Sequence, residues 1–323
     1  MKKRRSVGLI LGALLALLAG TILFVYIDYR TDLTAERTRA AAGSELAETP
    51  CGTIEYAVRG KGTPLLVVHG AGGGFDQGLA IGGSLAGRGF RVIAVSRFGY
   101  LRAPLPADAS PAAQSDLFAC LLDSLKIPKA AIMAASAGAH SAVQFCLRHA
   151  RRCPALVLLV PAVFDARVPP AVQPSAVLRP LIDWMLSSDF AVWSMFKLAP
   201  DSALERLLGT PAADFRRAPP EERELALGIV RTILPASERR DGLRNDLAVL
   251  TGAQRYELER LRAPTLVVAA ENDRFGIYQS ARALAQRVPG ARFLGVASGG
   301  HLLVGHRREL MSEIAAFLEE RAK

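Results

Sequence analysis

Short aliphatic runs alternate along the chain with longer segments in which apolar residues have helical spacing. Seven runs rich in Val, Ile, Leu and Ala predict strands at 53–58, 64–68, 91–95, 130–134, 155–160, 264–269 and 292–296. Most are continuously apolar, which is typical of strands buried on both faces of a sheet. Helical spacing predicts helices at 113–125, 138–148, 278–288 and 308–320. The alternation indicates an α/β fold with a doubly wound, mostly parallel sheet and right-handed crossovers.

One long interval interrupts this alternation. About a hundred residues separate the predicted strands 155–160 and 264–269, far more than a crossover between parallel strands needs. Apolar residues recur in it at i, i+3, i+4 and i+7, namely Leu178, Leu181, Ile182 and Met185. Bulky apolar side chains add to them, at Trp184, Phe190, Trp193, Met195 and Phe196. We therefore predict a helical cap, inserted into the sheet domain at about residues 165–260.

The N-terminal segment has a different pattern. Residues 7–27 carry no charge, follow a basic start at Lys2–Arg5, and are long enough as a helix to cross a bilayer core of about 30 Å. The positive-inside bias predicts a cytoplasmic basic tail at 1–6, a transmembrane anchor at 7–27 and a polar stalk at 28–50. Residues 51–323 would then form the α/β domain on the non-cytoplasmic side, periplasmic or extracellular.

A cleaved signal peptide is the alternative interpretation of this segment. Its apolar region usually has about 7–15 residues and ends near small side chains. Here the apolar segment is longer, and it ends in the bulky residues Phe24–Ile27. These features favour an uncleaved anchor.

Charge and cysteine content narrow the function classes. The net charge is +10, of which Lys2–Arg5 contribute four, and the other basic residues are scattered without interleaved aromatic residues. We therefore expect no nucleic-acid partner. The four cysteines, at 51, 120, 146 and 153, could form disulfides in an oxidising compartment or remain buried thiols, and both possibilities stay open. The absence of a Cys-x-x-Cys pair argues against a structural zinc site.

The pentapeptide Ala134–Gly138 lies between a predicted strand and a predicted helix, with Ser136 at its centre. A sharp strand-to-helix turn can present a serine hydroxyl if the flanking residues are small, and the usual pattern is G-x-S-x-G. Ala134 stands here in place of the first glycine. Ser136 is therefore a candidate nucleophile, and its alternative role is to cap the following helix.

A glycine-rich segment, His69–Gly74, directly follows the predicted strand 64–68. Such a turn leaves backbone N–H groups exposed, and these can stabilise an oxyanion. A phosphate-binding loop is the alternative, but the Lys and Ser/Thr of a P-loop are missing. We expect His69 itself to have a structural role.

Two further candidates follow the last two predicted strands, Asp273 as an acid and His301 as a base. The chain order Ser136, Asp273, His301 is the order of the α/β-hydrolase triad. Gly299 and Gly300 let the backbone bend before His301. The alternatives are Asp165 for the acid and His69, His140 or His306 for the base.

With these motifs, the chain resembles the α/β-hydrolase fold serine hydrolases from about Gly52 to the C-terminus. The resemblance implies that Ser136, His301 and Asp273 form a catalytic triad. It further implies that the backbone N–H groups of Ala71 and Ala137 form an oxyanion hole, and that neither a metal nor an organic cofactor takes part.

The implied activity is hydrolysis of a carboxylic ester or related acyl bond through an acyl-enzyme, with a small apolar ester or acyl compound as substrate. The same triad also supports C–C bond hydrolysis, peptidase, thioesterase, lactonase and cofactor-free peroxidase reactions. A membrane-tethered binding module without turnover is the alternative from another class.

Overall fold

An eight-stranded sheet forms the centre of the molecule. The computed structural model describes residues 2–163, 184, 187–252 and 255–321. The strands are β1 (Glu45–Thr49), β2 (Gly52–Arg59), β3 (Thr63–Val68), β4 (Phe90–Val95), β5 (Ala131–Ala135), β6 (Leu156–Leu159), β7 (Thr265–Ala270) and β8 (Arg292–Val296). Their order is β1-β2-β4-β3-β5-β6-β7-β8. Strand β2 pairs antiparallel with both of its neighbours, β1 and β4, and all other neighbouring strands pair parallel.

Eleven helices accompany the sheet in the described part of the chain. They are α1 (Lys2–Ala41), α2 (Phe75–Gly82), α3 (Pro111–Ser124), α4 (Ala139–Arg148), α5 (Asp189–Leu198), α6 (Pro200–Arg206), α7 (Ala212–Arg217), α8 (Pro220–Arg231), α9 (Arg240–Thr251), α10 (Ile277–Arg287) and α11 (Arg307–Arg321). Those from α5 to α9 lie between β6 and β7, and we refer to residues 189–251 as the cap.

Alternate residues of the strands belong to two separate apolar clusters. Along β3, Leu66 and Val68 pack with apolar side chains of α3, α4 and α10, whereas Leu65 and Val67 pack with side chains of α2 and α11. Successive side chains of a strand point to opposite faces, so both faces of the sheet are covered by helices. This explains the continuously apolar strand sequences and confirms the predicted doubly wound α/β fold.

All seven predicted strands are present, and the structure adds one that the sequence pattern did not predict. The added strand is β1, with the sequence Glu-Leu-Ala-Glu-Thr, which pairs with β2 at the edge of the sheet. Its side chains are exposed or half-buried, so it has no apolar run of the kind found in the buried strands. The predicted cap residues 178, 181, 182 and 185 and the alternative acid Asp165 lie outside the described residues.

The predicted polar stalk at 28–50 differs from the structure. Residues 28–41 continue α1, and residues 45–49 form β1. Leu33 and Ala40 are buried, and Trp193 Nε1 of the cap donates a hydrogen bond of 2.9 Å to Asp32 Oδ2. Some polar residues of this segment, Asp32 among them, therefore pair with the folded domain, which composition alone did not reveal.

The apolar part of α1 remains exposed. It is the one helix in the described residues that is long and apolar enough to cross a membrane, with a mean hydropathy of 2.5 in its most apolar window. Apolar side chains from Ile10 to Ile27 are largely exposed to solvent, whereas Leu33 beyond them is buried. The helix thus has an unpartnered apolar half and a packed polar half.

The cysteines form two disulfides, which decides between the two possibilities left open by the sequence. Cys51, beside the β1–β2 turn, pairs with Cys120 of α3, and Cys146 of α4 pairs with Cys153. The first links residues 69 positions apart, so it holds the edge hairpin against the helical layer.

Candidate active site

Ser136 occupies a strained turn between β5 and α4. Its φ is +49°, a left-handed conformation that non-glycine residues rarely adopt and that is often found at functional sites. Gly138 is required in this turn, since a Cβ there would lie 2.4 Å from His69 O. Ala134 is fully buried within β5, where a methyl group is accommodated. The sequence departure at this position is therefore compatible with the turn.

Asp273 and His301 meet at the carboxyl edge of the sheet. His301 Nδ1 lies 2.7 Å from Asp273 Oδ2, and Asp273 Oδ1 accepts a second hydrogen bond, of 2.8 Å, from Phe275 N–H. The Asp273 side chain is fully buried. Because an ionised carboxylate only accepts hydrogen bonds, the proton of this pair lies on Nδ1, which leaves Nε2 as the basic nitrogen.

Ser136 and His301 line the same cavity, which lies between the sheet and the cap. Most of its remaining wall is aliphatic, including Ile81, Leu159, Leu207, Leu208, Ile233 and Met311. The contacts of the described residues include the Asp273–His301 hydrogen bond but none between Ser136 and His301. Catalytic hydrogen bonds are often long without substrate and tighten in the substrate complex.

The glycine-rich loop lies against the serine. A Cβ on Gly70 would lie 3.2 Å from Ser136 Cβ, so the two backbones approach closely. Gly70 N–H donates to Gln77 Oε1, Gly72 N–H to Tyr100 Oη and Gly73 N–H to Gly70 O, at 2.9, 3.2 and 3.4 Å. For Ala71 N–H, the described contacts include no acceptor, and Ala71 lines the cavity.

Ala137 supplies a second N–H group near the serine. It is the residue after Ser136 in the turn Ser136–Gly138 that leads into α4. The first N–H groups of a helix lack acceptors within the helix. The positions of Ala71 and Ala137 are thus compatible with two donors to one oxyanion.

A buried polar network supports the glycine-rich loop from behind. The Arg97 guanidinium donates to His69 O and Gly70 O at 3.1 Å each, and it forms a two-pronged ion pair with Asp246 of α9. Tyr100 Oη also donates to Asp246. This network joins the loop to the cap. Arg97 and Tyr100 lie directly after β4, and no local sequence motif pointed to their partner Asp246.

Two of the alternative histidines are buried in structural hydrogen bonds. His69 Nδ1 donates to Gly70 O at 2.6 Å and its Nε2 accepts from Arg97 N–H at 2.9 Å, while burial and the nearby Arg97 charge hold its pKa well below the usual range. His140 contacts Tyr256 Oη at 2.6 Å and Ala162 O at 3.0 Å, and burial lowers its pKa to about 4. The structural role expected for His69 agrees with these contacts.

The third alternative, His306, contacts a serine, whereas Asp273 is bonded to His301. Its Nε2 lies 3.1 Å from Ser298 Oγ, in the loop that precedes α11. It does not line the cavity that contains Ser136.

A short segment of the cap holds the acid and base loops together. Gly209 O accepts hydrogen bonds from Arg274 N–H and His301 N–H, at 2.9 and 3.2 Å. Asp214 Oδ2 accepts from Gly299 N–H at 2.9 Å and from Asn272 Nδ2 at 2.6 Å. Gly209 has a φ of +57°, and a Cβ there would lie 2.7 Å from the Phe275 ring. Sequence reasoning missed this segment, which has no local motif.

Within the described residues, no group of three or more His, Cys, Asp or Glu side chains could hold a metal ion.

Comparisons with known proteins show to which protein family the chain belongs. A family model described as alpha/beta hydrolase fold matches residues 63–305. The chain is 25% identical over 256 residues to the uncharacterized hydrolase YcgS of Bacillus subtilis (strain 168), covering 78% of this chain and 89% of the relative. The chain therefore belongs to the α/β-hydrolase family, as its motifs predicted.

Solved structures have the same fold. An alpha/beta hydrolase fold protein from Nakamurella multipartita superposes with a TM-score of 0.70 and 24% identity, covering 85% of this chain and 99% of the other. A thermophilic esterase from Thermogutta terrifontis gives a TM-score of 0.63 and 23% identity, covering 86% and 99%. At this identity the likeness supports the fold.

Proposed function

We propose that the protein is a membrane-anchored serine hydrolase that cleaves carboxylic esters or related acyl bonds. One observation carries the proposal: Ser136, in a left-handed turn, shares an apolar cavity with His301, which is hydrogen-bonded to the buried carboxylate of Asp273. Nucleophile, base and orienting acid in this arrangement are what acyl transfer through a serine requires. The esterase among the structures with the same fold is compatible with this activity.

In the proposed mechanism, His301 Nε2 removes the proton from Ser136 Oγ while the oxygen attacks the ester carbonyl. The backbone N–H groups of Ala71 and Ala137 donate to the tetrahedral oxyanion, and one such donor typically contributes about 3–4 kcal/mol. His301 then protonates the leaving alcohol, and an acyl-enzyme remains. A water molecule, deprotonated by His301, then attacks that acyl group, and His301 returns the proton to Ser136 Oγ as the carboxylic acid leaves. The aliphatic wall favours an apolar acyl or alcohol group.

The proposed location is the non-cytoplasmic face of a membrane. Residues 7–27 form the anchor, and the basic residues Lys2–Arg5 remain in the cytoplasm. The two disulfides support this orientation, since disulfides persist mainly in oxidising compartments. After alkaline carbonate extraction, the full chain should stay with the membranes, whereas a cleaved signal peptide would release the domain.

Labelling with a fluorophosphonate probe tests the proposed nucleophile. The probe should modify Ser136 alone, and Ser136→Ala should lose both labelling and at least about 10³-fold in kcat towards p-nitrophenyl butyrate. Ser298→Ala is a suitable control, because Ser298 contacts His306 and not the cavity. Labelling at another serine, or normal turnover by Ser136→Ala, would contradict the assignment.

A further inference from the structure

Helix α5 of the cap runs antiparallel to α1, and its C-terminal end lies where the apolar segment of α1 ends. Near the start of α5, Asp189 Oδ2 pairs with Arg37 at 3.2 Å. Near its end, Lys197 Nζ lies 3.2 Å from Asp28 Oδ2. The C-terminal end of α5 is therefore level with residue 28, the first residue after the proposed membrane span.

The proposed span also contacts the cap directly. Val25 packs against a cluster that contains Val192, Trp193 and Leu234, and the Tyr29 ring lies 5.2 Å from the Phe190 ring. Since α1 is one continuous helix, these contacts fix the cap relative to the span. If residues 7–27 cross the bilayer, this side of the cap lies at its surface.

Large apolar side chains are exposed on α5. Leu198, at the end of α5 nearest the span, is 83% exposed, and Phe190, whose ring contacts Tyr29, is 48% exposed. Tyr26 of α1 is also exposed. Trp and Tyr are enriched at the headgroup level of membranes, where an apolar ring and a polar group are both accommodated. Such a surface is suited to the interface of a bilayer rather than to water.

Apolar contacts continue from this surface to the cavity. Phe196 and Ile233 pack against the same cluster as Val25 and Tyr29 do, and they also pack against the cluster of Leu204, Leu208 and Val230. Ile233 and Leu208 line the cavity that contains Ser136 and His301. One apolar wall therefore connects the membrane-proximal end of α1 with the candidate active site.

From this arrangement we propose that the cap rests on the bilayer through Leu198 and Phe190, and that the cavity takes its substrate from the lipid phase. The substrate class is an ester whose long acyl chain is dissolved in the membrane. This inference rests on the proposed function, for both the anchor and the hydrolysis.

Contact between the cap and the bilayer can be tested without measuring turnover. The full chain is inserted in phosphatidylcholine vesicles whose brominated acyl chains quench tryptophan fluorescence. Leu198→Trp and the control Leu46→Trp are each combined with Trp184→Phe. Buried Trp193 is then the one native tryptophan in both variants, and it contributes the same background fluorescence to each. Leu46 is an exposed leucine of β1, after the packed end of α1. Quenching should be at least about twofold stronger for Leu198→Trp, because interfacial side chains enter the lipid by about 5–10 Å.

Entry of the substrate from the lipid phase can be tested by comparing the hydrolysis of two esters in the same vesicles without bromine. Leu198→Glu should lower the rate on p-nitrophenyl laurate at least about fivefold, since a carboxylate opposes insertion into the interface. The rate on water-soluble p-nitrophenyl acetate should change less than about twofold, as Leu198 does not line the cavity. Leu46→Glu should change neither rate.

The outcomes separate this inference from the proposed function. Equal quenching at the two positions, or equal losses on both esters in Leu198→Glu, would overturn it. If the wild type hydrolyses neither ester, the proposed activity fails while the quenching still decides the docking. If the full chain does not float with the vesicles, the proposed anchor fails.

Discussion

The identity of the general base depends on which histidine nitrogen is free to accept a proton. His301 is bonded through Nδ1 to a buried carboxylate and lines the cavity beside Ser136. Both ring nitrogens of His140 are engaged, by Tyr256 Oη and Ala162 O. These local contacts favour His301 and give the two residues distinct expected behaviours.

We predict that His301→Ala loses at least about 10³-fold in kcat, because the proton of Ser136 then has no acceptor. His306→Ala should retain most of the activity, since His306 contacts Ser298 outside the cavity. Hydrolysis of p-nitrophenyl butyrate by the two variants measures this. An active His301→Ala together with an inactive His306→Ala would reverse the assignment.

The role of Asp273 as the triad acid can be tested by replacing one carboxylate oxygen with an amide nitrogen. Asp273→Asn places an amide opposite His301 Nδ1 and favours the wrong tautomer, so kcat should fall by about 10³–10⁴-fold with little change in KM. Asp165→Asn is the comparison, because Asp165 was the alternative acid in the sequence. A larger loss from Asp165→Asn would transfer the role to that residue.

His140 should make the fold less stable in mild acid. Its pKa is lowered to about 4 by burial, against 6.5 ordinarily, so between these values the unfolded chain binds a proton that the folded chain does not. The contribution of His140 to the free energy of unfolding is complete above pH 6.5 and decreases as the pH falls towards 4. From pH 7 to pH 5 the free energy of unfolding should fall by about 2 kcal/mol from this group alone.

Urea unfolding at the two pH values measures this loss. His140→Gln keeps a polar side chain but cannot titrate, so its loss between pH 7 and pH 5 should be smaller by about that amount. An equal pH dependence in wild type and variant would show that His140 is not the group responsible.

At the scale of elements, local patterns were predictable and long-range pairs were not. The turn around Ser136 follows from one strand, one helix and the small residues between them. The Asp273–His301 contact follows from parallel strands ending at one edge. In contrast, Arg97 and Asp246 are 149 positions apart, and neither is unusual in its local sequence. The role of Gly209 depends likewise on loops that come together only in the fold.

Asp214 tests whether the cap segment positions the base. Removing its carboxylate leaves Gly299 N–H and the Asn272 amide without this acceptor, so the loop before His301 should loosen. We predict that Asp214→Ala lowers kcat about tenfold and slows fluorophosphonate labelling in parallel, with a smaller change in KM. Asp201→Ala is the control, because its exposed ion pair with Arg216 lies in the same cap. A change confined to thermal stability would indicate a structural role only.

At the scale of the whole molecule, the packed half of α1 is connected to the candidate active site. Arg39 Nη1 lies 2.6 Å from Asp76 Oδ2, and Arg239 of the cap binds the same carboxylate at 2.7 Å. Arg239 Nη1 also donates to Gly73 O at 2.6 Å. Asp76 thus joins α1, the cap and the glycine-rich loop. The sequence suggested a passive stalk because the Arg and Asp residues of this segment resemble a solvated surface until their buried partners are known.

Truncation at two points separates the anchor from the packed part of α1. Deleting residues 1–24 should give a soluble domain with unchanged hydrolysis of p-nitrophenyl acetate, since Val25 is the first residue of α1, among the side chains that the structure describes, to pack against the cap. Deleting residues 1–44 also removes Leu33 and the Arg39 partner of buried Asp76, and should lower the free energy of unfolding by at least about 2 kcal/mol. Urea unfolding and the acetate assay measure both effects. Equal stability of the two truncated domains would mean that residues 25–44 behave as the stalk that the sequence pattern first suggested.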